Sequence, residues 1–152
     1  MADKSNEQPD RPIVVGVDGS PGSRAALRWA MTQARLLGTR VEAVAAWQEP
    51  LVYRYSPDRS LTTPDGDTIG TLTEKILLAS VAEVVAEVGS PVDVRTRTVR
   101  GHAAEALLDT AAGAQLLVVG ARGHSTFAGI LLGSVSHHCI QHSPCPVVVV
   151  PE

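Results

Sequence analysis

The sequence predicts an α/β domain: an open parallel sheet of five strands with helices on both faces. Three observations lead there. Five strand patterns alternate with segments of helical apolar spacing, the arrangement that builds parallel sheets with right-handed crossovers. Two of those patterns, residues 13–17 and 116–119, contain no polar residue, as expected of strands covered on both faces. Each of the two runs into a glycine-bearing turn that opens onto a helix pattern, the place where such sheets take their ligands.

Residues 13–17, IVVGV, are the first strand. Asp18-Gly19-Ser20-Pro21 ends it and opens a helix, with Ser20 as N-cap and Pro21 at the first helical position, where a missing N–H is no loss. Leu27, Ala30, Met31, Ala34 and Leu37 keep helical spacing, and Gly38 closes the element. Residues 40–47, RVEAVAAW, are rich in alanine, but their brevity and their place after a helix predict a strand. Residues 48–67 hold Pro50, Pro57, Pro64 and three aspartates, and read as a long loop. Within it Tyr53 and Tyr55 either cover a ligand or stand partly exposed.

A second helix over 68–88 places Leu77, Val81, Val84, Val85 and Val88 on its apolar side and stops at Gly89 and Pro91. Residues 92–99 alternate, with Asp93, Arg95 and Arg97 facing away from Val92 and Val94, so they predict a strand at a sheet edge that charges protect. A helix over 103–112 carries the stripe Ala104, Leu107, Leu108, Ala111 and Ala112. The strand at 116–119, a glycine turn, a helix from 134 to about 142 and a strand at 147–150 complete the chain. With the first strand central, the order is 3-2-1-4-5, and the crevice opens between strands 1 and 4.

The 152 residues fit a single domain over 12–152, preceded by a polar, flexible arm over 1–11. Hydrophobic residues at 44% and charged residues at 19% describe a globular chain. A net charge of −3 with 3% aromatic residues offers neither the electrostatic footprint nor the stacking platforms of a nucleic-acid binder. The N-terminus has no apolar secretory segment and no run is long enough to span a bilayer, which predicts a cytoplasmic protein. In that compartment Cys139 and Cys145 are free thiols.

The chemistry is concentrated after the fourth strand, where Gly120, Gly123, Gly133 and Ser134 form a G-x2-G-x9-G-S pattern. Glycine can take positive φ and lets a ligand lie against the main chain, and a helix start adds free N–H groups, which together suit a phosphate. The same residues also fit plain punctuation, with Ser134 a helix N-cap.

In order and spacing, VVGVDGS, GHAAEALL, LLVVGARG, GSVS and HSPCPVVVV resemble the universal stress protein family in its nucleotide-binding branch, over residues 13–150. The resemblance implies a Rossmann-like five-stranded sheet that binds ATP or a related adenine nucleotide (AMP or cyclic AMP), in a homodimer joined through the strand at 147–150. It implies phosphate and ribose contacts from Gly120, Gly123, Gly133 and Ser134, with Arg122, Val135 and Ser136 nearby. Asp18 falls where the family has an acidic residue near the nucleotide and, in some members, near Mg²⁺. Gly16, Val17 and Ala46 would line the adenine side, and Arg100 and Gly101 would approach the nucleotide. Trp47 either stacks on the base or narrows its pocket. Gln115 and Ala103 depart from residues frequent in relatives.

No phosphoryl-transfer signature accompanies the glycines, so the sequence favours binding over catalysis. The alternatives are a slow Mg²⁺-dependent ATPase or phosphotransferase using Asp18, and an interaction module with a vestigial pocket. His137, His138, Cys139, His142 and Cys145 have metal-ligand side chains, but Pro144 and Pro146 bracket Cys145 and no C-x-x-C pair completes a tetrahedral site. Helix capping and packing are the expected roles there.

Overall fold

The computed structural model describes residues 10–49, 66–89, 91–124 and 132–152. Strands β1 (Ile13–Gly16), β2 (Val41–Trp47), β3 (Val94–Arg100), β4 (Leu116–Gly120) and β5 (Val147–Val150) alternate with helices α1 (Pro21–Leu37), α2 (Gly66–Val88), α3 (Ala103–Ala111) and α4 (Ser134–His142). All strands are parallel, in the order β3-β2-β1-β4-β5. β1 is therefore central, with Val15 paired to Ala43 on one side and to Val118 on the other.

Two cores follow from the alternation of side chains across the sheet. Ile13, Val15, Val41, Ala43 and Val118 pack against Leu27, Met31, Leu77 and Val84 of α1 and α2. On the opposite face Val14, Val44, Leu117 and Val119 pack against Leu107 and Ala111 of α3 and Cys139 of α4. β1 contributes to both, which is why its sequence tolerates no polar residue.

Helix α1 starts as its sequence dictates. The Ser20 hydroxyl accepts from the Ser23 amide at 3.2 Å, Pro21 follows, and Gly38 ends the helix in the left-handed conformation (φ 67°) with its N–H on the Ala34 carbonyl. Three residues depart from the expected stripes, among them Ala112, which is exposed as the C-cap of α3. Leu37 is 53% exposed and Val85 is 41% exposed, while Ser80 is buried in the face of α2 that meets the core. Periodicity locates a stripe to within a residue, and the sheet decides which neighbour it covers.

β3 is an edge strand with Arg95 and Arg97 exposed, as its alternation predicts. β5 forms the other edge. Asp10 and Arg11, expected in the loose arm, are tied to the domain: Asp10 pairs with Arg40, and the Arg11 carbonyl accepts from Thr39 Oγ1 at 2.6 Å and from Gln115 Nε2 at 2.8 Å. That contact gives Gln115 a structural role. Tyr53, Tyr55 and most of the expected loop lie outside the described residues, as do residues 1–9 and 125–131. Among the described residues no helix is long and apolar enough to cross a membrane.

Candidate nucleotide crevice

A cavity of about 330 Å³ opens at the carboxyl ends of β1, β2 and β4, within the size range of small-ligand pockets. Strand order reverses between β1 and β4, so adjoining crossovers leave on opposite faces and a crevice opens between the two strands. The helix starts of α1, α3 and α4 supply its walls through Ser20 and Ser23, through Ala103, and through residues 133–136. Positive helix ends therefore converge on it.

Its lining is divided by polarity. Val44, Ala46, Ala103, Leu107 and Val119 make an apolar wall. The polar part of the lining comes from Asp18, Ser20, Ser23, Arg122, Gly123, His124 and the first turn of α4.

Asp18 is held by the start of α1. Its Oδ1 accepts from the Ser20 amide at 2.9 Å and from the Ser20 hydroxyl, while its own amide donates to Ser23 Oγ at 3.3 Å. Partial burial raises its carboxyl pKa, but the bonds from the Ser20 hydroxyl and amide, the Ser23 hydroxyl and attraction to His124 outweigh that, and the result lies below the ordinary 3.8. The carboxylate is thus the form the site keeps. His124 Nε2 donates to the Asp18 carbonyl at 2.9 Å, fastening the turn after β4 to the turn after β1.

The glycines of that turn are required for space. Among the described residues positive φ occurs at Gly19, Gly38, Gly89, Gly101 and Gly113, so the expectation that Gly120, Gly123 and Gly133 exploit that conformation is corrected. A Cβ on Gly120 would stand 2.8 Å from the Gly22 carbonyl oxygen, and one on Gly22 would stand 2.7 Å from the Arg122 carbonyl oxygen. These two glycines let β4 and α1 touch backbone to backbone. A Cβ on Gly123 would lie 2.6 Å from Asp18 Oδ2, so its absence leaves room for the carboxylate.

At α4 the N-cap is Gly133 (φ −72°, ψ 166°), and no side chain caps the helix; the expectation that Ser134 is the N-cap is corrected by one position. The Gly133 amide is used, donating to the Ala121 carbonyl at 2.7 Å. The amides of the first turn have no intrahelical acceptor, and that turn holds no acidic residue to neutralise the helix end. Ser136 Oγ is committed to the Gly133 and Ala121 carbonyls at 2.9 and 3.1 Å. Ser134 is exposed at the helix start.

The cavity thus brings together Gly16, Val17, Asp18, Ala46, Gly120, Arg122, Gly123, Gly133, Ser134, Val135 and Ser136. Arg100 and Gly101 do not line it. Arg100 lies over the Trp47 ring, 5.6 Å from its centroid, and pairs with Glu49 at 3.2 Å; the Gly101 amide donates to the Trp47 carbonyl. Trp47 itself packs against Gly70, where a Cβ would stand 3.1 Å from its ring, and it is not among the residues that line the cavity. Sequence reasoning missed Ser20, Ser23, Val44, Ala103, Leu107, Val119 and His124. The capping signal at Ser20 was legible, but a cap that also binds the carboxylate two residues before it was not.

Cys139, fully buried, belongs to the core behind α4, and burial pushes its thiol up to about 11. The His138 and His142 rings lie 4.6 Å apart on α4. Among the described residues no group of three His, Cys, Asp or Glu side chains could hold a metal ion.

A sequence model described as the Universal stress protein family matches residues 10–151. A universal stress protein of Mycobacterium tuberculosis is 34% identical over 92% of this chain and 47% of its own length. One of Mycolicibacterium smegmatis is 36% identical over 91% of this chain and 45% of its own. The chain spans about half the length of the curated relatives it matches. Among solved structures, a universal stress protein in complex with cAMP superposes with a TM-score of 0.63 at 28% identity, covering 92% of this chain and 95% of that one. An Archaeoglobus fulgidus universal stress protein in complex with dAMP has a TM-score of 0.66 at 21% identity over 92% and 97% of the two chains, a likeness of fold.

Proposed function

The chain belongs to the universal stress protein family, and from that premise we propose that it binds an adenine nucleotide, ATP first among them, in the crevice between β1 and β4. In this reading it is a cytoplasmic, dimeric module whose occupancy regulates a stress response. The observation that carries the proposal is that the start of α4, which no side chain caps, lines a cavity that also has an apolar wall. One ligand that needs both is a base attached to a phosphate. The 28%-identical relative that holds cAMP supports the reading.

Each part of the ligand has a natural place. The flat base lies on Val44, Ala46, Leu107 and Val119, where apolar contact is favourable at roughly 25 cal/mol per Å². Asp18, kept ionised, accepts a ribose hydroxyl. The phosphate takes the amides at 134–136 and the Ser134 hydroxyl, and the dipole of α4 supports its charge. Arg100 and Gly101 stand outside this set.

Magnesium fits here only as a companion of the nucleotide. Asp18 Oδ1 is occupied by Ser20, which leaves Oδ2, and one carboxylate oxygen with phosphates is a donor set this ion accepts. When bound it would neutralise phosphate charge beside Asp18. The free edge of β5 is the proposed dimer contact, since an edge of valines invites a two-fold partner.

Thermal unfolding with ATP, AMP, cAMP and GTP tests the proposal. At a hundredfold excess over Kd, binding stabilises by about 2.7 kcal/mol, a rise of about 5–10 °C for a domain of this size. ATP is expected to give that rise and GTP much less. Gly123→Val, whose side chain would crowd Asp18 and fill the polar end, is expected to abolish it. Equal shifts from ATP and GTP, or none from any adenine nucleotide, would remove the proposal.

A further inference from the structure

We propose that Glu152 is an internal stand-in for phosphate: it holds Arg122 until a charged phosphate tail displaces it, so the site grades nucleotides by phosphate charge. This inference rests on the adenine-nucleotide reading above and adds the regulation of that site.

The charge balance of the crevice carries the argument. Among the described residues that line it, Arg122 is the sole arginine or lysine. Its guanidinium is already engaged, with Nη2 3.6 Å from Glu152 Oε2. The pairing is a single long contact between half-exposed side chains, 39% and 51%. Such a pair contributes little stability, so exchange of the carboxylate for a phosphate oxygen is easy. Carboxylate and phosphate both suit the guanidinium fork, but a terminal phosphate carries more charge, which decides the direction of exchange.

The contact is also anchored. The Ala121 amide donates to the Val150 carbonyl at 2.9 Å, and the Ala121 carbonyl accepts from the Gly133 amide at 2.7 Å. The peptides flanking Ala121 therefore join the end of β5, which delivers Glu152, to the N-cap of the helix that would receive the phosphate. Before exchange Asp18 presents negative charge to an incoming tail, while Glu152, which is not among the lining residues, occupies the guanidinium. After it, Glu152 is released at the outer edge of the sheet, where the proposed dimer contact lies.

Calorimetric titration of the wild type, Glu152→Gln, Arg122→Gln and the double variant with adenosine, AMP and ATP is the test. Both substituted side chains are on the surface, and unliganded melting curves verify that each variant folds. Glu152→Gln is expected to tighten ATP about two- to fivefold, the range of a surface ion pair, and to leave adenosine unchanged. In the Arg122→Gln background the Glu152 change is expected to have no effect on ATP. The inference is overturned if Glu152→Gln leaves the ATP-to-adenosine affinity ratio at its wild-type value, or if its effect persists without Arg122. Failure of the wild type to bind any of the three compounds overturns the parent reading as well, whereas binding with an unaltered ratio overturns this inference alone.

Discussion

Asp18 carries two duties at the residue scale: it closes the turn before α1 through Ser20, and it presents Oδ2 to the crevice beside Gly123. Its folded pKa lies below 3.8, so the unfolded chain takes up this proton first. The carboxylate's contribution to stability is therefore complete above the ordinary carboxyl value and drains away as pH falls through the lower, folded value. Denaturant titrations of the wild type and Asp18→Asn, from about pH 7 to about pH 2, should show a constant gap that closes only in the acid range; a gap unchanged to the lowest pH would mean the shift is absent. Gly120 makes a purely steric prediction. Gly120→Ala places its methyl against the Gly22 backbone, which cannot rotate away, and should cost about 1–3 kcal/mol. Gly16→Ala meets only the mobile end of Leu107, at 2.9 Å, and should cost less in the same urea titration. Gly120 was legible as the marker that ends its strand run, whereas Gly16 lay inside one. The neighbours of neither were legible, because the clash each avoids lies with a residue distant in sequence.

At the scale of elements the sequence spoke most clearly where one residue type does a local job. Ser20-Pro21 opening α1, Gly38 closing it, and the polar-free runs of β1 and β4 could be read without any long-range knowledge, since caps and periodicity are short-range physics. His124 and Ser23 were illegible for other reasons. Both act on Asp18: Ser23 lies five residues on, where its place in the stripe of α1 hid the bond, and His124 bonds from another turn, which no spacing within one segment encodes. The start of α4 separates stability from function in one substitution. Gly133 has an extended conformation open to any residue (φ −72°, ψ 166°), and glycine is only a few tenths of a kcal/mol poorer than Asp as an N-cap. Gly133→Asp should therefore leave the unliganded melting temperature nearly unchanged. It should nevertheless abolish stabilisation by ATP, because its carboxylate takes the amides of the first turn and repels phosphate. Retention of the ATP shift in a folded Gly133→Asp variant would move the anion site elsewhere.

For the molecule as a whole, the two sheet edges are built differently. β3 exposes Arg95 and Arg97, which deters strand pairing. β5 presents only valines, each partly buried within a single chain. In the ladder with β4, the Pro146 and Val150 carbonyls accept from Leu117 and Ala121. Parallel pairing alternates along a strand, so the residues facing β4 are 146, 148 and 150, and the N–H of Val149 points to the open side. That register makes the proposed dimer testable without dismantling the sheet. Val149→Pro removes an outward N–H and no bond to β4, as tolerated on an edge strand. Sedimentation equilibrium should show the wild type as a dimer and Val149→Pro as a folded monomer, with far-UV circular dichroism retained. If the variant remains dimeric, the chains associate through another face, and release of Glu152 at the end of β5 would then have no contact there to modulate.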